Sequence, residues 1–164
     1  MEGEEGMLWL LMDRAPAHLL VPTRRTGASV EIRQWLEQFA ECVREVDYDC
    51  AAEMFACDVV GFGTFARMVI GRDHLVEEQW RKIWGCTRGF HFLLDEAHIE
   101  VSGAMGWVAS PWISQGRDET GNWYDRQGRC TLIFKRCDGK WLCAHSHFSR
   151  QPAPRKSDGM VTPA

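Results

Sequence analysis

Two histidines and a serine stand at alternate positions near the end of the chain, in the stretch DGKWLCAHSHFS at 138–149. Read as one strand, whose side chains point alternately to opposite faces, it places Trp141, Cys143, His145, His147 and Ser149 on one side. Leu142, Ala144, Ser146 and Phe148 take the other. Imidazole titrates near neutral pH, so His145, assisted by His147, is the candidate for catalytic proton transfer. Two imidazoles at i and i+2 could also share a metal ion. A catalytic zinc site needs a third protein ligand and an open position. His91, His98 or Asp95 could approach from another strand, but none stands out as that ligand, and no metal is expected. Cys143 lies two residues from His145, and a neighbouring imidazole can lower a thiol pKa. With no third orienting group in view, it is a weak nucleophile candidate. The plain alternative is that the histidines satisfy one another and the adjoining strands on an interface face of a sheet.

The second set with chemical meaning is aromatic. Eight tryptophans in 164 residues promise large buried surfaces or a pocket walled by rings. Trp35 and Phe39 share a helical stripe, and Trp80 and Trp84 are one helical turn apart. Phe62, Phe92 and Trp112 come from strand-like segments. These seven are the candidate ligand-binding walls, with Thr64 and Arg129 as polar groups among them. Most aromatic residues at helical spacing are packing, so some will be plain core. Carboxylates are less promising. Asp58 sits at a helix-to-strand turn, and Asp95 and Glu96 are adjacent, so only one can face inward. No carboxylate pair has a spacing suited to acid/base work.

Elements must position these groups. From Ser29, a plausible N-cap, Ile32, Trp35, Leu36, Phe39, Val43 and Val46 recur at three- and four-residue steps, which predicts a helix. DYDCAAEMFA predicts a second, shorter helix. DVVGFGTFARMVIGR reads as two short strands joined at Gly63-Thr64. RDHLVEEQWRKIW returns to helical spacing, with Leu75, Val76, Gln79, Trp80, Ile83 and Trp84 on one side. Long strands follow in FHFLLDEAHIEVS, MGWVASPWISQGR, GRCTLIFKRC and KWLCAHSHFS, the last two joined by the Asp138-Gly139 turn. Helices first and strands later predict an α+β fold, a curved sheet with helices packed on one face.

Composition bounds the function. The chain is long enough for one domain with a real core, and 45% of its residues are hydrophobic. A net charge of −4 without a basic block argues against a nucleic-acid partner. No stretch approaches the roughly 20 apolar residues of a membrane span. The seven cysteines are odd in number and show no Cys-x-x-Cys spacing, which suits reduced, mostly buried thiols in a cytoplasmic protein. Residues 1–28 and 152–164 lack periodicity and are expected to be flexible extensions, flanking a domain at 29–151.

The segments DCAAEMFACDVVGFGT, IGRDHLVEEQW and DGKWLCAHSHFS, in that order and spacing, resemble the SnoaL-like branch of the nuclear transport factor 2-like superfamily over residues 29–151. The resemblance implies a cone, with three helices packed on a strongly curved antiparallel sheet, a ligand pocket inside and dimerisation through the sheet. The closing strand is also similar to the association domain of calcium/calmodulin-dependent protein kinase II. The segment AHIEVSG at 97–103 fits that pattern, with His98 at the position of a pocket histidine. That domain's pocket arginines are not matched, since Trp112 and Leu132 fall near their positions. The expected function is binding of a small, mostly apolar molecule in an aromatic-lined pocket. If catalytic, the protein would be a cofactor-free isomerase, dehydratase or cyclase using His145. The alternative is a non-catalytic binding or assembly domain. Either way a homodimer is expected.

Overall fold

The structure, a computed structural model, describes residues 26–65 and 67–152. The expected extensions at 1–25 and 153–164 lie outside those residues. Helix α1 spans Gly27–Glu45, and its N-cap is Thr26 rather than Ser29. Ser29 occupies the third helical position, where its hydroxyl accepts from the Thr26 backbone N–H at 2.8 Å while Thr26 Oγ1 accepts from the Ser29 N–H at 3.2 Å. This reciprocal box satisfies two otherwise orphaned donors. The helix stops at Val46, whose left-handed backbone (φ 58°) turns the chain out of the helical path. Asp47 then caps α2, Tyr48–Glu53, by accepting from the Cys50 N–H at 3.0 Å.

The stripe predicted on α1 is buried, with Ile32, Leu36, Phe39 and Val43 in the core. Each such side chain removed from water stabilises the fold by about 1.5–3 kcal/mol. The third helix, α3, is irregular. It runs from Arg72–Leu75 through a π-helical turn, Val76–Trp80, and Arg81–Ile83 to a 3-10 turn, Trp84–Cys86. The π turn inserts an extra residue per turn. Gln79 and Trp80, consecutive in sequence, are both buried there.

Among the described residues seven strands form one sheet: β1 (Phe55–Phe62), β2 (Met68–Ile70), β3 (Thr87–Phe92), β4 (His98–Ser102), β5 (Met105–Arg117), β6 (Trp123–Cys137) and β7 (Lys140–Arg150). The order is β2-β1-β7-β6-β5-β3, with β4 also on β5. All pairs are antiparallel except β1 with β7. β1 begins at Phe55, so that residue packs from the sheet rather than from α2 as expected. The segment FHFLLDEAHIEVS is not one strand. A 3-10 turn at Leu94–Glu96 divides it into β3, which pairs with residues 112–116 of β5, and β4, which pairs with 105–109. Pro111 sits at this gap, and its carbonyl accepts from the Leu93 N–H at 3.0 Å. Its missing donor therefore falls where no neighbouring strand needs one.

The three helices close over the concave face of this sheet, the α+β cone anticipated from the sequence. On β6 the inward row is Phe134, Leu132, Cys130, Gly128 and Arg126, all buried. The outward row includes Ile133, Thr131 and Arg129.

Candidate functional site

The closing strand does not keep one alternation. Cys143 pairs with Phe134, but His145 pairs with Ile133, so Ala144 is an extra residue in β7. A bulge of this kind reverses which face each later side chain takes. Trp141 and Cys143 point inward, as do Ser146 and Phe148 beyond the bulge, while His145, His147 and Ser149 point outward. The expected shared face for Cys143 and His145 is thus corrected. His145 and His147 pack edge-on against Phe62 of β1, at 5.6 and 5.4 Å between ring centroids. The sheet separates all three rings from the interior of the cone. Arg129 is outward as well, its Nε donating to Ser149 Oγ at 3.3 Å.

The interior holds a cavity of ≈ 80 Å³ under α1 and α3. Five of the predicted wall residues line it: Phe39, Thr64, Trp80, Trp84 and Trp112. Trp80 and Trp84 stack at 4.8 Å with an interplanar angle of 18°. Trp35 and Phe92 are core residues beside the cavity rather than its walls. Trp35 donates its indole N–H to the Met54 carbonyl at 3.2 Å. Phe92 packs edge-on to Phe90, which does line the cavity. Phe148, Val43 and Ile83 complete the apolar wall.

The polar wall is Gln79, Thr87, Ser114 and Arg126, and sequence reasoning placed none of these four in the pocket. Arg126 is only 8% exposed. Its Nη2 donates to Thr87 Oγ1 at 2.6 Å and to the Gln115 carbonyl at 3.5 Å, and its Nε to Ser114 Oγ at 3.3 Å. Thr87 is held in turn by donating to the Ile83 carbonyl at 2.8 Å. Gly116 makes room for the guanidinium: a Cβ there would lie 2.8 Å from Arg126 Nε. Burial lowers the guanidinium pKa from its ordinary value. Among the described residues no carboxylate pairs with Arg126. Two further buried donors, Gln79 Nε2 and Trp112 Nε1, make no hydrogen bond to the described residues. An unmade bond at a buried donor costs roughly 1–3 kcal/mol.

The remaining candidates are distant from this cavity in chemistry. Asp58 is an exposed partner of Lys135 at 2.8 Å, whose ammonium hydrogen bond holds its carboxyl pKa down. Asp95 is exposed and Glu96 half-buried. Among the described residues no three His, Cys, Asp or Glu side chains come together to hold a metal ion. Cys143 is buried, its thiol pKa pushed well up by desolvation, and it donates to the His145 carbonyl at 3.1 Å. Such a thiol stays protonated near neutral pH and is not a nucleophile. All seven cysteines are free, but only Cys42, Cys130 and Cys143 are buried, so the expectation of mostly buried thiols holds in part.

A bent sheet closed by three helices over an aromatic cavity is the nuclear transport factor 2-like cone. The SnoaL-like domain model matches residues 32–154, and the chain belongs to that family. Solved structures agree on the fold. A nuclear transport factor 2-like protein of unknown function from Pseudomonas putida is 25% identical, with TM-score 0.63, over 82% of this chain and 92% of its own. A ketosteroid isomerase-like protein from Erwinia carotovora atroseptica is 13% identical, with TM-score 0.67, over 79% and 100%. The association domain of CaMKII from C. elegans is 15% identical, with TM-score 0.60, over 74% and 95%. No curated protein sequence matches the chain. Among the described residues no helix is long and apolar enough to cross a membrane.

Proposed function

We propose that this SnoaL-like domain binds a small, largely apolar molecule inside its cone and does so without acid/base catalysis. One observation carries this reading: the cavity has aromatic walls, and among the described residues Arg126 is the sole ionisable side chain that lines it. Isomerisation, dehydration or cyclisation needs a group that takes up and returns a proton near neutral pH. A guanidinium does not, and His145 stands on the other face of the sheet. The walls supply what a ring-bearing ligand needs, desolvated contact with indole and phenyl faces. Titrating the protein with small neutral ring compounds (benzamide, cyclohexanone, indole) tests this through calorimetry. Saturable one-to-one binding is expected. It should weaken at least about tenfold in Trp112→Ala, in keeping with the loss of one aromatic wall, and stay unchanged in His145→Ala. Equal weakening in both variants, or no binding at all, would count against the cavity as the ligand site.

A second reading concerns assembly and is favoured by the outer face. Trp107 and Met105 on β5 are 44% and 50% exposed, and Trp107 continues through Ile133 of β6 to His145 of β7 in one cross-strand row. Among the described residues no helix covers this surface, and a two-fold copy would bury it against itself. We therefore propose a homodimer closed by the outer sheet face, in which His145 and His147 are interface residues. Trp107→Glu would place a charge in that contact, and sedimentation velocity should show the dimer dissociating. A native chain that sediments as a monomer at tens of micromolar overturns it.

A further inference from the structure

The polar end of the cavity has the chemistry of a carboxylate receptor. We propose that the ligand is a small organic acid: its carboxylate pairs with Arg126, and its apolar body enters between Trp80, Trp84 and Trp112. The inference rests on the small-molecule reading above and goes further by fixing the charge of the ligand.

Three observations converge. Arg126 is more than nine-tenths buried, lines the cavity, and among the described residues has only neutral oxygens as partners. A buried cation ordinarily has an anion beside it, because taking it out of water alone is costly. The two buried donors without acceptors, Gln79 Nε2 and Trp112 Nε1, belong to side chains that line the same cavity. A carboxylate offers two oxygens and about four acceptor sites. One such group could accept from the guanidinium, the indole and the amide together. Neutral water could fill the space, but it leaves the charge of Arg126 unbalanced. The third observation is a groove that shares Ile83 and Arg126 with the cavity. It is open, of ≈ 1150 Å³, and its lining joins Arg67, Lys82, Arg117 and His74 to Arg126, against one carboxylate, Glu78. In a chain of net charge −4 this is a local basic concentration, suited to drawing an anion inward. The volume of ≈ 80 Å³ behind Arg126 sets the scale of the apolar part at a single small ring or short chain.

The guanidinium is seated by design of the local backbone. Thr87 and Ser114 hold Nη2 and Nε, and Gly116 leaves the path of the side chain clear. Among the described residues the hydrogen bonds of Arg126 use those two nitrogens, which leaves Nη1 as the donor to meet a ligand.

The test compares acids with their neutral isosteres on the full chain: benzoate against benzamide, and phenylacetate against phenylacetamide, by calorimetry and tryptophan fluorescence. Each acid is expected to bind at least about tenfold tighter than its amide, as a charge-assisted contact should give. Arg126→Met should bring the acids down to the affinity of the amides. The same change should raise the melting temperature of the ligand-free protein, because an unbalanced buried charge is removed. Should Arg126→Met fail to fold, Gly116→Ala serves in its place. Its new Cβ displaces the guanidinium, and acid affinity should fall while amide affinity holds. Equal binding of acids and amides by the native chain overturns the carboxylate inference and leaves the small-molecule reading standing. An acid preference that survives both substitutions overturns Arg126 as its source. Failure of acids and amides alike to bind overturns both readings, and the cavity then holds water only.

Discussion

Phe39→Ala is expected to lower the unfolding free energy by about 3–5 kcal/mol, the range for a buried phenylalanine cut back to a methyl group. Phe39 is the hub of the aromatic cluster. Its ring lies 5.2 Å from Trp35, 5.3 Å from Phe55 and 5.9 Å from both Trp80 and Trp84, with Phe92 and Phe148 at 6.4 Å. These neighbours come from α1, α3, β1, β3 and β7, so no single element can move to fill the gap without losing its other contacts. Domains of this size are stable by only about 5–15 kcal/mol, and the loss would take a large share of that margin. Because Phe39 also lines the cavity, the new void opens into it. The variant should therefore gain affinity for larger neutral rings such as naphthalene as it loses stability. Urea denaturation read by circular dichroism measures the first effect, and ligand titration the second. A loss below about 1 kcal/mol would show that the rings repack around the deletion, contrary to the idea that their other contacts hold them in place.

Gly128→Ala is expected to cost about 1–3 kcal/mol or more, although it adds only one methyl group. Gly128 pairs with Trp112 across β5 and β6, and the indole occupies the space where a Cβ of Gly128 would stand. A Cβ at this position would run into the Trp112 ring and the Ser149 carbonyl. The strain is shared between the two contacts, so a double-mutant cycle can separate them. In a Trp112→Ala background the ring is gone and the cost of Gly128→Ala should shrink, with a coupling of about 0.5–3 kcal/mol. The collision with Ser149 is backbone and remains, so the rescue should be incomplete. Thermal melts of the four proteins supply the cycle. Gly128→Ala with native stability would mean that the indole has room to shift, and the seat assigned to Trp112 would be wrong.

The sequence by itself determined the parts of this protein whose cause is local. The three- and four-residue spacing from Ile32 to Val43 could bury only as a helix. The Asp138-Gly139 pair could only be a tight turn, and both residues have positive φ there, 48° and 79°. Alternation along GRCTLIFKRC puts Cys130, Leu132 and Phe134 on one face of the strand, and the structure buries that face. The same alternation, carried back through Cys130 and Gly128, reaches Arg126. That residue was therefore legible, and attention to Arg129 missed it by overlooking which row of the strand faced inward. Other features had no local signature. Nothing in KWLCAHSHFS announces that Ala144 is an extra residue. The bulge exists because β7 must follow β6 with Trp141 and Cys143 inward at one end and Ser146 and Phe148 inward at the other. That one-residue offset moved His145 and His147 from the cavity to the outer face. Likewise, the division of FHFLLDEAHIEVS follows from the course of β5, whose two halves take different neighbours. Whether a buried arginine has an anionic partner depends on every strand and helix that surrounds it, which period and composition along one segment do not encode. The tertiary structure therefore decided the site, because the groups that face one another in the cone come from elements far apart in the chain.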